Sequence, residues 1–194
     1  MLYLICASEP KTIGFDSPLS TVGTQQAAML AQWLTANKVF VFYAAPSQRA
    51  LETVGNFIKT RRQTGQYVRA EIRFELCDRV VLPEQKPHSL QVDYIRAFGI
   101  PEQNVLGAMA GPESSDAEFE RRVVDWFTND FLEKYRDAPN PTAIVADTAV
   151  LDPIIKFLNR RSKQLTIPPI NPGYGVEYKS DGLTLMFSQY LTLV

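Results

Sequence analysis

The chain has 194 residues, 45% of them hydrophobic and 21% charged, with a formal net charge of -1. That length and apolar fraction suit one globular domain with a sizeable core. The charge balance leaves no basic excess for nucleic acid and no acidic run for disorder. Cys6 and Cys77 are the only cysteines and stand in no metal-ligand spacing, which argues against a disulfide framework and for a reducing, cytoplasmic setting. No apolar run approaches the ~20 residues of a membrane span, and the apolar residues 1–6 have no basic leader and are too few for a signal segment.

Residues 2–6 are almost wholly apolar and predict a strand buried on both faces, as inside a parallel sheet. A polar loop with Pro10, Gly14, Asp16 and Pro18 follows. Ser20 is then the N-cap of an amphipathic helix whose inner face carries Val22, Met29, Leu30, Trp33 and Leu34. Residues 39–43, β-branched or aromatic throughout, predict the clearest strand, ended by Ala44-Ala45-Pro46. Ser47 caps a second helix with Ala50, Leu51, Val54, Phe57 and Ile58 facing inward. Lys59, Arg61 and Arg62 end that helix, where cations suit the free carbonyls.

Residues 68–76 predict another strand. Residues 80–115 carry Pro83, Pro87, Pro101 and Pro112 and predict only a short helix near residues 90–98. A long helix starts at Ser115 or Asp116 and passes through Phe119, Val123, Phe127, Phe131 and Leu132. Residues 142–146 predict a buried strand. A helix through Leu151, Ile154, Ile155 and Leu158 follows, with Pro153 tolerable only in its first turn. Residues 174–178 and 183–187 predict a hairpin around Ser180-Asp181-Gly182. The alternation of strand and helix predicts a three-layer α/β/α sandwich with a mostly parallel central sheet, as a single domain over residues 1–194.

Four blocks in register resemble the histidine phosphatase superfamily, the phosphoglycerate mutase-like proteins. Family members open with a strand running into Arg-His-Gly-Glu, where this chain has Cys6-Ala7-Ser8-Glu9. The family block Pro-Leu-Thr-x-x-Gly-x-x-Gln-Ala is matched by Pro18-Leu19-Ser20-Thr21-Val22-Gly23-Thr24-Gln25-Gln26-Ala27. Ser-Ser-Pro-x-x-Arg-Ala-x-x-Thr is matched by Ala44-Ala45-Pro46-Ser47-Gln48-Arg49-Ala50-Leu51-Glu52-Thr53. The last block, a strand followed by Ser-His-Gly, reads Ile144-Val145-Ala146-Asp147-Thr148-Ala149. Between these, residues 111–123 are similar to the family's Gly-x-Glu-Ser stretch and the helix behind it.

The resemblance implies phosphoryl transfer through a histidine held among two arginines and a second histidine. It also implies that this member is degenerate. Ala7 stands at the nucleophile, Cys6 at the first arginine and Asp147 at the second histidine; Arg49 survives, and Asp78 is the nearest match to the family's acid. Ser8 and Glu9 line the same pocket. Loss of a nucleophile can cost ~10⁶ in rate, and each lost charge-assisted phosphate contact costs a further ~1.5–3 kcal/mol. These substitutions point away from an enzyme and towards a binding or regulatory pseudo-phosphatase. A divergent phosphatase or hydrolase using Arg49, Asp78 and Asp147, and a purely structural subunit with a collapsed cleft, are the alternatives.

The remaining candidates carry less. Cys6 as a replacement nucleophile would need an arginine six positions on, where Thr12 stands; a buried, inert thiol fits better. His88, the only histidine, is far from both family histidine positions and reads as a surface or cap residue. Arg49 is either paired with Asp147 or retained for an anion. Asp147, Asp78 and Glu9 have no known metal-ligand spacing, and neither metal nor cofactor is expected. The partners expected are a small anionic ligand or a protein, with no nucleic acid and no membrane.

Overall fold

In the computed structural model, residues 1–12, 17–79, 96–98, 100, 102–106, 115–135, 140–162, 170–180 and 185–192 are described. The strands are β1 (Leu2–Cys6), β2 (Val41–Ala44), β3 (Arg69–Arg73), β4 (Val105–Leu106), β5 (Thr142–Ala146), β6 (Tyr174–Ser180) and β7 (Leu185–Thr192). They form one sheet in the order β4-β3-β2-β5-β1-β6-β7. Pairing is parallel from β4 to β1, and antiparallel where β6 joins β1 and β7 joins β6. The helices are α1 (Thr21–Ala36), α2 (Gln48–Gln63), α3 (Asp116–Trp126) and α4 (Thr148–Ser162). α1 packs on α2, and α3 packs on α4. Right-handed crossovers place the two pairs on opposite faces of the sheet, giving the three layers expected.

β1 and β5 are buried at every position, as their unbroken apolar runs require. Ser20 and Ser47 cap α1 and α2 by accepting from Gly23 N and Ala50 N, and all five residues expected on the inner face of α2 are buried.

Several boundaries differ from the sequence reading. β2 runs over Val41–Ala44 rather than 39–43, because Val39 N bonds Leu34 O at the end of α1 before pairing with β5 begins. β3 stops at Arg73, and Phe74–Leu76 turn into a 3₁₀ segment. The carbonyls of Phe74, Glu75 and Cys77 accept from Arg122 of α3, which favours the turn over continued strand. In α1 the buried stripe is Gly23, Gln26, Leu30 and Leu34, while Val22 and Met29 are exposed. Beyond Trp126, α3 widens into a π-helical turn at Phe127–Phe131 before a last turn at Leu132–Tyr135. The wider turn lets the adjacent Trp126 and Phe127 be buried together with Phe131. Pro153 lies inside α4, past its first turn, so that helix lacks one amide donor there.

The hairpin forms from β6 and a β7 that reaches Thr192, with a register irregularity at Glu177/Tyr178. Its expected turn at 181–182, most of the helix at 90–98, Pro83, Pro87, Pro101, Pro112, Gly111 and His88 lie outside the described residues.

One close approach fixes how α1 meets the end of β1. A methyl group at Gly23 would overlap the carbonyl oxygen of Glu9. Ser20 N donates to that same carbonyl at 2.9 Å, and Ser20 Oγ donates to Glu9 Oε1 at 2.9 Å. Gly23→Ala is therefore expected to lower unfolding stability by roughly 1–3 kcal/mol, read as a fall in the urea midpoint. An unchanged midpoint would show that the segment after β1 is free to move.

Candidate functional site

The site is assembled by sheet order. β5 lies between β1 and β2, with Cys6 opposite Ala146 and Ala44 opposite Val145. The ladder extends one step past each strand: Ala7 N donates to Ala146 O and Ala45 N to Val145 O, both at 2.9 Å. The residues that follow, Ser8, Asp147 and the first turn of α2, therefore meet at the carboxyl ends of parallel strands. Ligands bind in α/β sheets at such a reversal of strand order.

Arg49, the second residue of α2, forms an ion pair with Asp147, Nη2 to Oδ1 at 2.5 Å. Asp147 is buried and the guanidinium is partly open to solvent, with 19% side-chain exposure. Burial pushes the Asp147 carboxyl above its ordinary value of 3.8. Arg49 opposes that shift, and the negative charge of Asp78 adds to it. Two of the three carboxylates named from sequence thus sense each other. The third does not join them: Glu9 accepts from Ser20 at the start of α1. Among the described residues, no group of three or more His, Cys, Asp or Glu side chains is placed to hold a metal ion.

Ala7 has no exposed surface, and Cys6 and Ser8 have almost none. Cys6 Sγ lies 3.2 Å from Thr148 Oγ1, which itself donates to Ile170 O at 2.7 Å. A hydroxyl has one hydrogen, so the thiol is the donor to Thr148. Burial raises its pKa to about 11, which keeps the sulfur a neutral thiol and a poor nucleophile.

Sequence reasoning missed the ties that hold this site together. Thr53 Oγ1 accepts from Ser8 N at 2.9 Å and donates to Arg49 O at 2.8 Å, joining the segment after β1 to α2. Gln26 Oε1 accepts from Glu9 N at 2.8 Å, and Glu52 Oε2 accepts from Leu19 N at 2.7 Å. Gln26 and Thr53 both stand in the blocks that carry the family resemblance, so a signal was present without a role attached. Arg122 stands in the family-like stretch 111–123, but nothing in that stretch pointed to its contacts with residues 74–77, just before Asp78.

A profile of the histidine phosphatase superfamily (branch 1) matches residues 11–166. The chain belongs to that superfamily. Among solved structures, alpha-ribazole phosphatase from Shigella flexneri superposes with a TM-score of 0.65 at 18% identity, over 96% of this chain and 94% of that one. YhfR from Bacillus stearothermophilus gives 0.63 at 19% identity, over 96% and 94%. Phosphoserine phosphatase from Entamoeba histolytica, in complex with 3-phosphoglyceric acid, gives 0.59 at 16% identity, over 98% and 95%. At these identities the likeness is one of fold. Among curated proteins none matches by sequence.

The raised pKa of Asp147 carries a sign. The folded protein favours the protonated carboxyl more than the unfolded chain does. Its contribution to stability is thus most favourable at acid pH and falls as pH rises from 3.8 through the elevated folded value. Asp147→Asn removes that titration. In thermal melts across pH 3.5–7, wild type should lose stability relative to the variant as pH rises through the window above 3.8. Parallel curves would mean that the carboxylate is not desolvated.

Proposed function

We propose that this chain is a pseudo-phosphatase of the histidine phosphatase superfamily, one domain that acts by binding rather than by phosphoryl transfer. The observation that carries the reading is the Arg49–Asp147 pair. The guanidinium that aligns with a phosphate-binding arginine already has a carboxylate as its partner, and a second carboxylate, Asp78, is close enough to raise the pKa of the first. A phosphate dianion entering there meets a neutralised cation and an acidic neighbour, which disfavours it. Ala7 and a neutral Cys6 thiol supply no nucleophile beside it.

Loss of an imidazole is compatible with ligand binding in this fold. A histidine-to-alanine mutant of the Entamoeba histolytica phosphoserine phosphatase was solved in complex with phosphoserine. The role proposed here is therefore recognition of a small anionic ligand at reduced affinity, or of a protein partner. The two free cysteines, both buried, suit the cytoplasm. Among the described residues no helix is long and apolar enough to cross a membrane.

The second reading, an altered hydrolase, draws on Asp147 itself, since a carboxyl with a raised pKa beside a guanidinium could act as a general acid. Turnover of p-nitrophenyl phosphate separates the two. The wild-type protein should hydrolyse it at background rate. Activity well above background that is lost in Arg49→Ala would establish the second reading instead. In the converse direction, Cys6→Arg, Ala7→His and Asp147→His together should raise affinity for inorganic phosphate by at least ~100-fold, from two restored charge-assisted contacts. Because Cys6 and Ala7 are buried, Asp147→Asn alone serves as the conservative variant. Freeing Arg49 should by itself strengthen phosphate binding by roughly tenfold. Phosphate affinity unchanged in both would refute the pairing argument.

A further inference from the structure

A second candidate site lies between the two helices on one face of the sheet. α1 and α2 leave an open cleft of about 640 Å³ running from Leu19 and Glu52 at one end to Thr35, Thr60 and Arg61 at the other. Its volume falls within the ~300–1,000 Å³ typical of small-molecule sites. It does not include Arg49, Asp78 or Asp147.

The chemistry of its walls is uneven along its length. Ala27, Ala28 and Ala31 line the α1 side, and Phe57 and Phe98 stand among the residues across from them. Four threonines also border the cleft, and the hydroxyls of three donate to helix carbonyls: Thr24 to Ser20 O at 2.9 Å, Thr35 to Ala31 O at 2.9 Å, and Thr53 to Arg49 O at 2.8 Å. Those three hydroxyls are thus engaged, and Gln32, Asn56 and Thr60 complete the polar part of walls that between the two ends are otherwise alanine and phenylalanine.

The two ends differ in charge. At one, both oxygens of Glu52 are already held, by Leu19 N and by Gln48 Nε2, each at 2.7 Å. At the other, Arg61 stacks over Phe40 with 4.3 Å from its guanidinium carbon to the ring centre, and a second ring, Phe57, lies at 5.9 Å. The rings hold the cation in place without neutralising it. Arg61 Nε is buried with no hydrogen-bond partner, and among the described residues Arg61 has no ion pair. Arg61 thus lines the cleft as a cation without a carboxylate partner among the described residues, open to pairing with an anion.

We propose that this cleft binds a free unbranched aliphatic carboxylate, with its chain along the alanine side of α1 and its carboxylate on Arg61. The charge at each end fixes the direction. Glu52 repels a carboxylate from the near end, and Arg61 receives it at the far end. The alanine methyls of α1 with Phe57 and Phe98 give an apolar chain its contact surface, while Gln32, Asn56 and Thr60 are the polar side chains it passes. The proposal does not rest on the pseudo-phosphatase reading, because Arg49, Asp78 and Asp147 do not line the cleft, although Thr53 and Glu52, which tie that site together, do.

Calorimetric titration of the full chain with sodium octanoate, decanoate and dodecanoate, each below its micellar concentration, tests it. Affinity should rise about fourfold for each methylene the cleft buries. Arg61→Gln, which keeps most of the stem, should weaken dodecanoate binding roughly tenfold or more. Ala28→Trp, at an exposed position on the cleft wall, should abolish binding while the thermal melt stays in place. Absence of saturable dodecanoate binding would overturn the proposal. So would octan-1-ol or octylammonium binding as tightly as octanoate, or affinity that survives both substitutions. An uncharged amphipathic helical peptide that competes at the same cleft and binds more tightly than dodecanoate would make the occupant a protein segment, and would overturn it too.

Discussion

The insertion of β5 between β1 and β2 is the constraint on which the rest depends. Parallel pairing sets Cys6 beside Ala146 and Ala44 beside Val145, so three segments distant in sequence end at one place. No residue at those ends needs to be chemically active for this to happen. The register is set by buried apolar side chains on both faces of the strands, and a one-residue slip would send each of them to the opposite face. The location of the site is thus a property of the core. Its chemistry is decided separately, by the few side chains just past the strand ends.

Among those few side chains the Arg49–Asp147 pair dominates. A cup for a phosphate dianion needs cations that have no other partner. Here the aligned arginine has one, at 2.5 Å, and the partner is more deeply buried than the arginine. Burial of Asp147 raises its pKa, while the nearby guanidinium resists that rise. The carboxylate therefore depends on Arg49 for its charge. A competing anion would have to displace a ligand already in place, and would leave a buried carboxylate unpaired when it did so. That penalty is the cost of breaking a buried pair by taking away one partner.

The layers of the fold were legible in the sequence because the signals were redundant. Continuous apolar runs marked β1 and β5, and the serines at 20 and 47 marked two helix starts. What escaped was decided by contacts distant in sequence. Val22 and Met29 fit a helical stripe, but the close approach of Gly23 to Glu9 rotates α1 so that Gln26 takes the inner position. The end of β3 is set by carbonyls that accept from Arg122, 45 or more residues away. The π-helical turn at Phe127–Phe131 answers to three aromatic residues that must all be buried, and periodicity alone predicts a plain α-helix there. At the site, alignment with family blocks brought Arg49 and Asp147 to one place, and it missed the ties through Thr53 and Gln26 because hydrogen bonds between side chain and backbone leave no periodic trace.

The residues kept from the family blocks and those replaced fall into two physical classes. Gly23, Gln26 and Thr53 are kept, and each holds backbone: a close approach to Glu9 O, a bond to Glu9 N, and a bridge between Ser8 N and Arg49 O. Losing any of them would leave a backbone group unpaired or force a clash, with a penalty in folding free energy whatever the protein binds. The side chains of Cys6 and Asp147 bond instead to neighbouring groups, Thr148 and Arg49, and Ala7 offers only a methyl. At those positions the family's arginine and histidines would place charge or polar rings at a partly enclosed strand end, which destabilises the fold unless a ligand offsets it. Small or neutral residues at 6 and 7 avoid that burden, while the buried carboxylate of Asp147 keeps part of it, offset in part by Arg49.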